Sequence, residues 1–567
     1  MVLSVENLCI SFEKEKQTKE VIKGVSFDIK RASITALVGE SGSGKSVTSL
    51  AIMGLLDRKN SKITDGEITF FDKQKEDEIK KINLGQITQK EYRDIRGKKI
   101  AMIFQEPMTA LNPVKRCGKQ VEEMLLIHNK ISKKQAKQKT LELFKEVLLP
   151  DVFRAYNSYP FELSGGQRQR IMIAMAIGCE PQLLIADEPT TALDVTVQNT
   201  ILDLLKDLQK KRQMSILFIT HDLSVVKKIA DNVAVMYQGS IVEQAKTEYI
   251  FSSPKQVYTK GLIASRPPLN YKPKKLLSVK DFIDGKTPNT ELITNEETSQ
   301  IRERIYNQTP LLEVENMDVD YIINKNVFGK VRKVFPALKN ISFQLYKGET
   351  LGLVGESGSG KTTIGKTIVQ LIRQSRGEIK YKGKDILHLS YKEKQEIKKH
   401  MQIIFQDPYS SLNPRKTIGK DIEEPMLVHK IYDNEEERKD MALQLLEQVG
   451  LGGDFYFRYP HELSGGQRQR VGIARALSLN PEIIICDESV SALDVSVQAQ
   501  VLNLLNDLKQ KYGLAYIFIS HDLGVVKYMS DKIIVLKNGE IIEENYPEQI
   551  YNNPKKEYTK ELIDSIR

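Results

Sequence analysis

Residues 39–46 read GESGSGKS, and residues 355–362 read GESGSGKT, the same pattern 316 positions later (355 − 39). Both obey G-x-x-x-x-G-K-[ST], with Gly39, Gly44, Lys45 and Ser46 in the first copy and Gly355, Gly360, Lys361 and Thr362 in the second. Glycines at these points let successive backbone N–H groups turn inward around an anion, beside the positive end of a helix dipole. The lysine brings a compact charge to the outer phosphates of a nucleotide, and the last hydroxyl is a ligand for Mg²⁺. The flanks fit that chemistry. SITALVG (33–39) reads as a buried strand entering the loop, and VTSLAIMGLL (47–56) has the spacing of a helix leaving it.

The loop is not the only thing written twice. ELSGGQRQR at 162–170 returns at 462–470, and LLIADE at 183–188 is answered by IIICDE at 483–488. His221-Asp222-Leu223 is answered by His521-Asp522-Leu523, and FSSPKQVYTK (251–260) by YNNPKKEYTK (551–560). All four pairs keep one offset of 300 (462 − 162), so the chain is two copies of one module. The register shifts in one large step. Gly39 to Gln105 spans 66 residues and Gly355 to Gln406 spans 51, an excess of 15 in the first copy. The excess lies within the charged stretch KQKEDEIKKINLGQITQKEYRDIRGKK (73–99), where an exposed loop is expected. Between the copies, 266–310 has scattered prolines, mixed charge and no sustained apolar period, which predicts a linker or domain-wrapping tail. Elsewhere β-rich apolar runs alternate with helical ones, the pattern of an α/β fold with a largely parallel sheet.

Composition bounds the possibilities. A chain of 567 residues exceeds one core, and 40% apolar with 28% charged residues is ordinary for a globular protein. The longest apolar runs, such as ILFI (216–219) and IIVL (533–536), are strand-sized and far short of the ~18 residues that cross a bilayer. MVLSVENLCISFEKEK lacks the basic start and apolar run of a secretory signal. Cys9, Cys117, Cys179 and Cys486 form no CxxC pair and no metal-ligand spacing, which fits a reducing compartment. The net charge of +10 comes from interspersed basic and acidic residues, a solvated surface rather than a nucleic-acid footprint.

Asp187 and Asp487 end the apolar runs LLIAD and IIICD, where they are expected to hold Mg²⁺ through water. Glu188 and Glu488 follow directly and are candidate general bases for an attacking water. Neighbours on a strand point apart, which would separate the metal ligand from the base.

LSGGQ at 163–167 and 463–467 then resembles the signature of the ATP-binding-cassette family, and the resemblance covers nearly the whole chain apart from the linker. Ser164, Gly165 and Gly166 would stand at the start of the apolar helix IMIAMAI, where amides and a hydroxyl can face an anion. The resemblance implies that this anion is the γ-phosphate of ATP held by the other module. One site would join Gly39, Glu40, Ser41, Gly42, Ser43, Gly44, Lys45 and Ser46 to Ser464, Gly465, Gly466 and Gln467. The other would join Gly355, Glu356, Ser357, Gly358, Ser359, Gly360, Lys361 and Thr362 to Ser164, Gly165, Gly166 and Gln167. The resemblance also implies that Gln105 and Gln406 touch Mg²⁺, giving metal sets of Ser46, Gln105 and Asp187, and of Thr362, Gln406 and Asp487. His221 and His521 would bond the γ-phosphate. Ala192-Leu193-Asp194 and Ala492-Leu493-Asp494 would contact the opposite module, with Asp194 and Asp494 at the nucleotide. Phe12 and Tyr321 would stack on adenine. The implied fold is α/β, two tandem nucleotide-binding domains at 1–265 and 311–567. Each has a P-loop core, an antiparallel β subdomain and a helical signature subdomain.

TALDVTVQ (191–198), SALDVSVQ (491–498), FQEPMTALNP (104–113), FQDPYSSLNP (405–414) and the tails P-x-x-x-Y-T-K-x-L (Pro254 to Leu262, Pro554 to Leu562) narrow the resemblance. Together they resemble the ATPases of oligopeptide, dipeptide and nickel importers, fused as in importers of glutathione or microcin C. Val257 and Glu557 stand where a proline is usual, and Ser489 replaces the proline after the first glutamate. Some such ATPases hold an iron–sulfur cluster after the first tail. Here the stretch after Arg266-Pro267-Pro268, up to residue 310, has no cysteine, so no cluster is expected. The resemblance implies ATP and Mg²⁺ as cofactors and a peripheral place on the cytoplasmic face of the inner membrane. It also implies two permease subunits, an extracytoplasmic solute-binding protein and no nucleic acid. Helices between Gln105 and Ser164, and between Gln406 and Ser464, would carry closure of the pseudo-dimer to the permeases. The alternative is a soluble tandem-cassette translation factor acting on ribosomes. Such proteins join their modules with a long charged helical hairpin, which Pro267, Pro268, Pro273, Pro288 and Pro310 disfavour. DNA-repair cassette ATPases need zinc modules or long coiled coils, and neither pattern is present.

Overall fold

A computed structural model describes the chain except residues 15–16, 58, 76–77, 106–109, 192, 286–290, 326–330, 408–410, 492 and 565–567. Two compact units emerge: Met1–Leu193 with Val197–Ile263 and Val279–Lys286, and Asp194–Thr196 with Ala264–Ser278 and Thr287–Arg567.

The first unit is built on a six-stranded sheet with spatial order Ser240–Lys246, Asn232–Tyr237, Ile34–Val38, Ser215–Thr220, Leu183–Asp187 and Ile100–Ile103. All neighbours are parallel except the edge strand Ser240–Lys246. Ile34–Val38 and Leu183–Asp187 are buried at every position, as continuous apolar runs in a parallel sheet must be. Both strands open at their C-terminal ends onto the glycine loop and the carboxylates, so the candidate residues gather along one sheet edge. The helix leaving the loop runs Lys45–Ile52, earlier at both ends than the 47–56 expected from sequence. Gly54 stops it with φ +60, and a Cβ there would lie 2.4 Å from the Tyr92 ring, so only glycine fits beneath that tyrosine.

A second, four-stranded antiparallel sheet pairs Gln17–Ile29, Leu3–Lys14, Ser61–Lys75 and Glu78–Asn83 in that order. The charged stretch expected as an exposed loop is folded instead. It extends Ser61–Lys75, returns as Glu78–Asn83, and continues as helix Gln89–Ile95, started by a capping box between Thr88 and Glu91. Phe70 opposite Ile82 ties that hairpin to the core, which is why charged residues here still make a strand. In the second unit the matching strand Arg376–Tyr381 is answered only by Lys384–Asp385, so the first copy's extra residues mostly lengthen a hairpin.

The second unit repeats the plan. Its sheets run Val331–Leu345, Leu312–Lys325, Arg376–Tyr381, Lys384–Asp385, and Met401–Ile404, Ile483–Asp487, Ala515–Ile519, Thr350–Val354, Lys532–Lys537, Glu540–Asn545. Each unit also carries a helical part before its signature: Cys117–His128 and Lys133–Glu146 in one, Ile418–Val428 and Glu435–Gln448 in the other. A buried glutamate organises each. Glu122 accepts from Tyr156 and Lys119, and Glu423 accepts from Tyr456 and Lys420, pairing that a buried carboxylate needs.

The proline-bearing stretch between the copies is packed. Leu276 joins the second unit's core, and Asn503 both donates to its carbonyl (2.7 Å) and accepts from its N–H (2.9 Å). Val279 is buried in the first unit beside Tyr258 and Leu262. Among the described residues, no helix is long and apolar enough to cross a membrane.

Candidate active sites

In the first unit Lys45 is buried, and its Nζ donates to the carbonyls of Gly39 (2.8 Å) and Glu40 (2.9 Å). Ser46 Oγ lies 3.3 Å from Asp187 Oδ1, which ends the strand two places away in the sheet from the one that enters the loop. Glu188 gathers three side chains. Gln105 Nε2 donates at 2.9 Å, Thr191 Oγ1 donates at 3.0 Å, and His221 Nδ1 lies 3.0 Å away. Asp187 and Glu188 diverge for a reason different from strand alternation. The strand ends at Asp187, and Glu188 takes φ +47 while its N–H donates to Ile219 at 2.9 Å. A non-glycine residue in the left-handed region is strained, and the strain here aims the carboxylate at His221 and Gln105.

The second unit reproduces this. Lys361 Nζ donates to Gly355 (2.7 Å) and Glu356 (2.8 Å), and Thr362 Oγ1 donates to Asp487 at 2.8 Å. Gln406 Nε2 donates to Glu488 at 2.7 Å, His521 Nδ1 is 3.5 Å from it, and Glu488 sits at φ +49.

The adjacent carboxyls are driven apart in acidity. Burial pushes Asp187 up to about 6, only partly countered by the Ser46 hydroxyl and Lys45. Burial also opposes ionisation of Glu188, yet the hydrogen bond and charge of His221, then Lys45 and Thr191, hold it below the usual carboxylate range. Asp487 is raised by burial and Glu488 lowered, again against burial, through His521 and Lys361. Burial alone would lower His521, but Glu488 overrides it and raises it. Burial thus disfavours the charge on each aspartate, while the histidine beside each glutamate favours its ionised, proton-accepting form.

Ser164 caps helix Gly165–Ile177 and Ser464 caps Gly465–Leu477, each in a capping box with Gln167 or Gln467. Tyr321 directs its hydroxyl to Thr363 at 3.3 Å, beside Thr362, whereas Phe12 packs partly buried against the core. Asp494 caps helix Val495–Tyr512, and Asp194 directly precedes helix Val195–Arg212. Ala192 and Ala492 lie outside the described residues. Sequence reasoning missed Thr191. It stands first in TALDVTVQ, but nothing in the spacing shows that its hydroxyl turns back onto the glutamate.

The residues fit a nucleotide phosphate. The loop presents a buried ammonium, and the buried Ser43 Oγ has no hydrogen-bond partner in the protein. In each unit the loop hydroxyl faces the buried strand-end carboxylate, a pair that can anchor a cation. That suits a small hard cation sharing its shell with phosphate and water.

The chain matches the ABC transporter family over residues 22–191 and 338–491. Residues 242–291 match the C-terminal region of oligopeptide/dipeptide transporters. It is 42% identical over 571 residues to the glutathione import ATP-binding protein GsiA of Pectobacterium atrosepticum, covering 100% of this chain and 89% of that protein. The protein of that name from Salmonella choleraesuis is 43% identical over 570 residues, with the same coverage. Among solved structures, a dimeric ATP-binding cassette in a post-hydrolysis state with ADP and Pi is 28% identical. It covers 43% of this chain and 98% of its own, with a TM-score of 0.38. The fold and sites define an ATP-binding-cassette ATPase in tandem form. The chain belongs to the ABC transporter family.

Proposed function

We propose that this chain is the ATP-hydrolysing subunit of an importer of peptides or peptide-like solutes, working through separate membrane permeases. The observation that carries the reading is the twin site. Lysine, hydroxyl, aspartate, glutamate, glutamine and histidine are assembled alike in both units, which suits two hydrolysing centres. The oligopeptide-type region at 242–291 and relatives bearing import names support the transport class. They lend no support to the ribosome-bound alternative. Domains at 1–265 and 311–567 joined by 266–310 are part of this reading, as are a peripheral inner-membrane location and an extracytoplasmic solute-binding protein.

In this reading Lys45 and Lys361 neutralise the outer phosphates, and Glu188 and Glu488 take the proton of the attacking water. His221 and His521, each already beside its glutamate, hold the γ-phosphate oxygens and keep the base oriented. Mg²⁺, when bound, supplies positive charge to the phosphates, and Ser46, Gln105 and Asp187, or Thr362, Gln406 and Asp487, would hold it. Each triphosphate would be closed by the other unit's signature serine, Ser464 over Lys45 and Ser164 over Lys361. Closing excludes water and strengthens every charge interaction at the phosphates.

Fractionation tests the class. The chain, coexpressed with its permease subunits, should copurify with membranes and hydrolyse ATP faster when a peptide and its binding protein are supplied. Cosedimentation with ribosomes, without membrane association, would overturn the reading.

A further inference from the structure

The repeated tail P-x-x-x-Y-T-K-x-L takes no part in the chemistry above, yet it reaches the phosphate loop in both units. Its tyrosine lies on a short helix, Val257–Ala264 in the first unit and Glu557–Asp564 in the second. A glutamate of the edge strand fastens each helix at its start. Glu243 accepts the N–H groups of Lys255 (2.8 Å) and Gln256 (3.0 Å), and Glu543 those of Lys555 (3.0 Å) and Lys556 (3.2 Å). Burial fixes the ring as well. Tyr258 is 5% exposed and packs 4.2 Å from Tyr237, centroid to centroid, and Tyr558 is 7% exposed.

From that seat the Tyr258 hydroxyl oxygen accepts the backbone N–H of Glu40 at 3.1 Å, and Tyr558 accepts that of Glu356 at 3.2 Å. Both amides belong to the first peptide of the loop. The carbonyl of that same peptide, Gly39 or Gly355, accepts the loop lysine's Nζ at 2.8 and 2.7 Å. One peptide group is thus gripped at both ends, by the tail at its N–H and by the lysine at its carbonyl. Hydrogen bonds chained through a peptide polarise one another, and a plane held at both ends cannot rotate away from its phosphate-binding pose. Tyrosine and loop are 218 residues apart in one unit and 202 in the other, so equal chain spacing does not explain the shared bond.

We propose that Tyr258 and Tyr558 are positioning residues. Each tail hydroxyl holds the first peptide of its unit's phosphate loop, and so sets that loop's affinity for the nucleotide's phosphates. The inference rests on the reading of residues 39–46 and 355–362 as ATP-binding loops. It adds that the tail, otherwise remote from the chemistry, tunes them.

The test compares the full chain with Tyr258→Phe, Tyr558→Phe and the double variant, which keep the ring and lose the hydroxyl. ATP binding by titration calorimetry and steady-state turnover are read together. Losing one neutral buried hydrogen bond should weaken ATP binding at the affected loop by about fivefold. KM should rise by a similar factor in the double variant while kcat at saturating ATP stays near wild type. Unchanged binding and KM in the double variant would overturn the proposal. So would a fall in kcat at constant KM with a lower melting temperature, the mark of a merely structural tyrosine. Should Tyr258→Phe fail to fold, Tyr558→Phe poses the same question to the other loop. A wild-type chain that binds no ATP would instead sink the reading of the loops themselves.

Discussion

The two units hold the same acid–base pair with different hydroxyls. In the first, Thr191 Oγ1 donates to the Glu188 carboxylate at 3.0 Å. In the second, Ser491 Oγ turns to the backbone carbonyl of Glu488 at 2.8 Å and leaves the carboxylate to Gln406 and His521. The loop hydroxyls differ in the opposite sense, with Ser46 at 3.3 Å from Asp187 and Thr362 at 2.8 Å from Asp487. What does not differ is the buried aspartate ending a strand and the glutamate forced to positive φ beside it. The supporting hydroxyls can be exchanged, but the backbone that separates the two carboxyls is kept. Both sites are therefore expected to hydrolyse ATP.

The largest effect should come from the bases. Glu188→Gln and Glu488→Gln together should lower turnover ~10²–10⁴-fold, the usual worth of a general base, and each alone should remove at least half of it. If one single change left turnover intact, the matching unit would be a silent partner and the symmetry broken. Stability provides the next contrast. Asp187 titrates near 6, above the ordinary ~3.9, so its buried charge destabilises the fold fully above pH 6 and progressively less as pH falls toward 4. Asp187→Asn should therefore melt higher than wild type at pH 8 without nucleotide, and the gap should close near pH 4. A gap that widened on acidification would contradict the assigned burial. Ser46→Ala and Thr362→Ala should each raise the Mg²⁺ concentration needed for half-maximal turnover, by about tenfold if the hydroxyl ligates. Unequal shifts would rank the two cation anchors. Smallest should be Thr191→Val, which removes the donor that the second unit lacks. It should change kcat only a few-fold, as for one neutral hydrogen bond, and move the first site's pH profile toward the second's.

Much of this was legible because phosphate chemistry constrains sequence tightly. G-x-x-x-x-G-K-[ST], LSGGQ and the acidic strand ends each need particular residues at fixed spacing, and the structure gathers Lys45, Ser46, Asp187, Glu188, Gln105 and His221 as their order suggested. What escaped was set by tertiary contact. The stretch 73–99 looked like a loop by charge, yet Phe70 opposite Ile82 makes part of it a hairpin. The helix after the first loop stops at Ile52 because Tyr92, distant in sequence, fills the space over Gly54. Strand alternation was expected to part Asp187 from Glu188, but a hydrogen bond from the Glu188 N–H to Ile219 turns the backbone there. The tail tyrosines were visible as a repeated motif, while their target, a single peptide N–H, carries no letter of its own.

The most direct measurement is a structure of the Glu188→Gln/Glu488→Gln chain with ATP and Mg²⁺. The account predicts two bound triphosphates, one touched by Lys45 and Ser464 and the other by Lys361 and Ser164. A triphosphate enclosed wholly by the unit that supplies its lysine would contradict it.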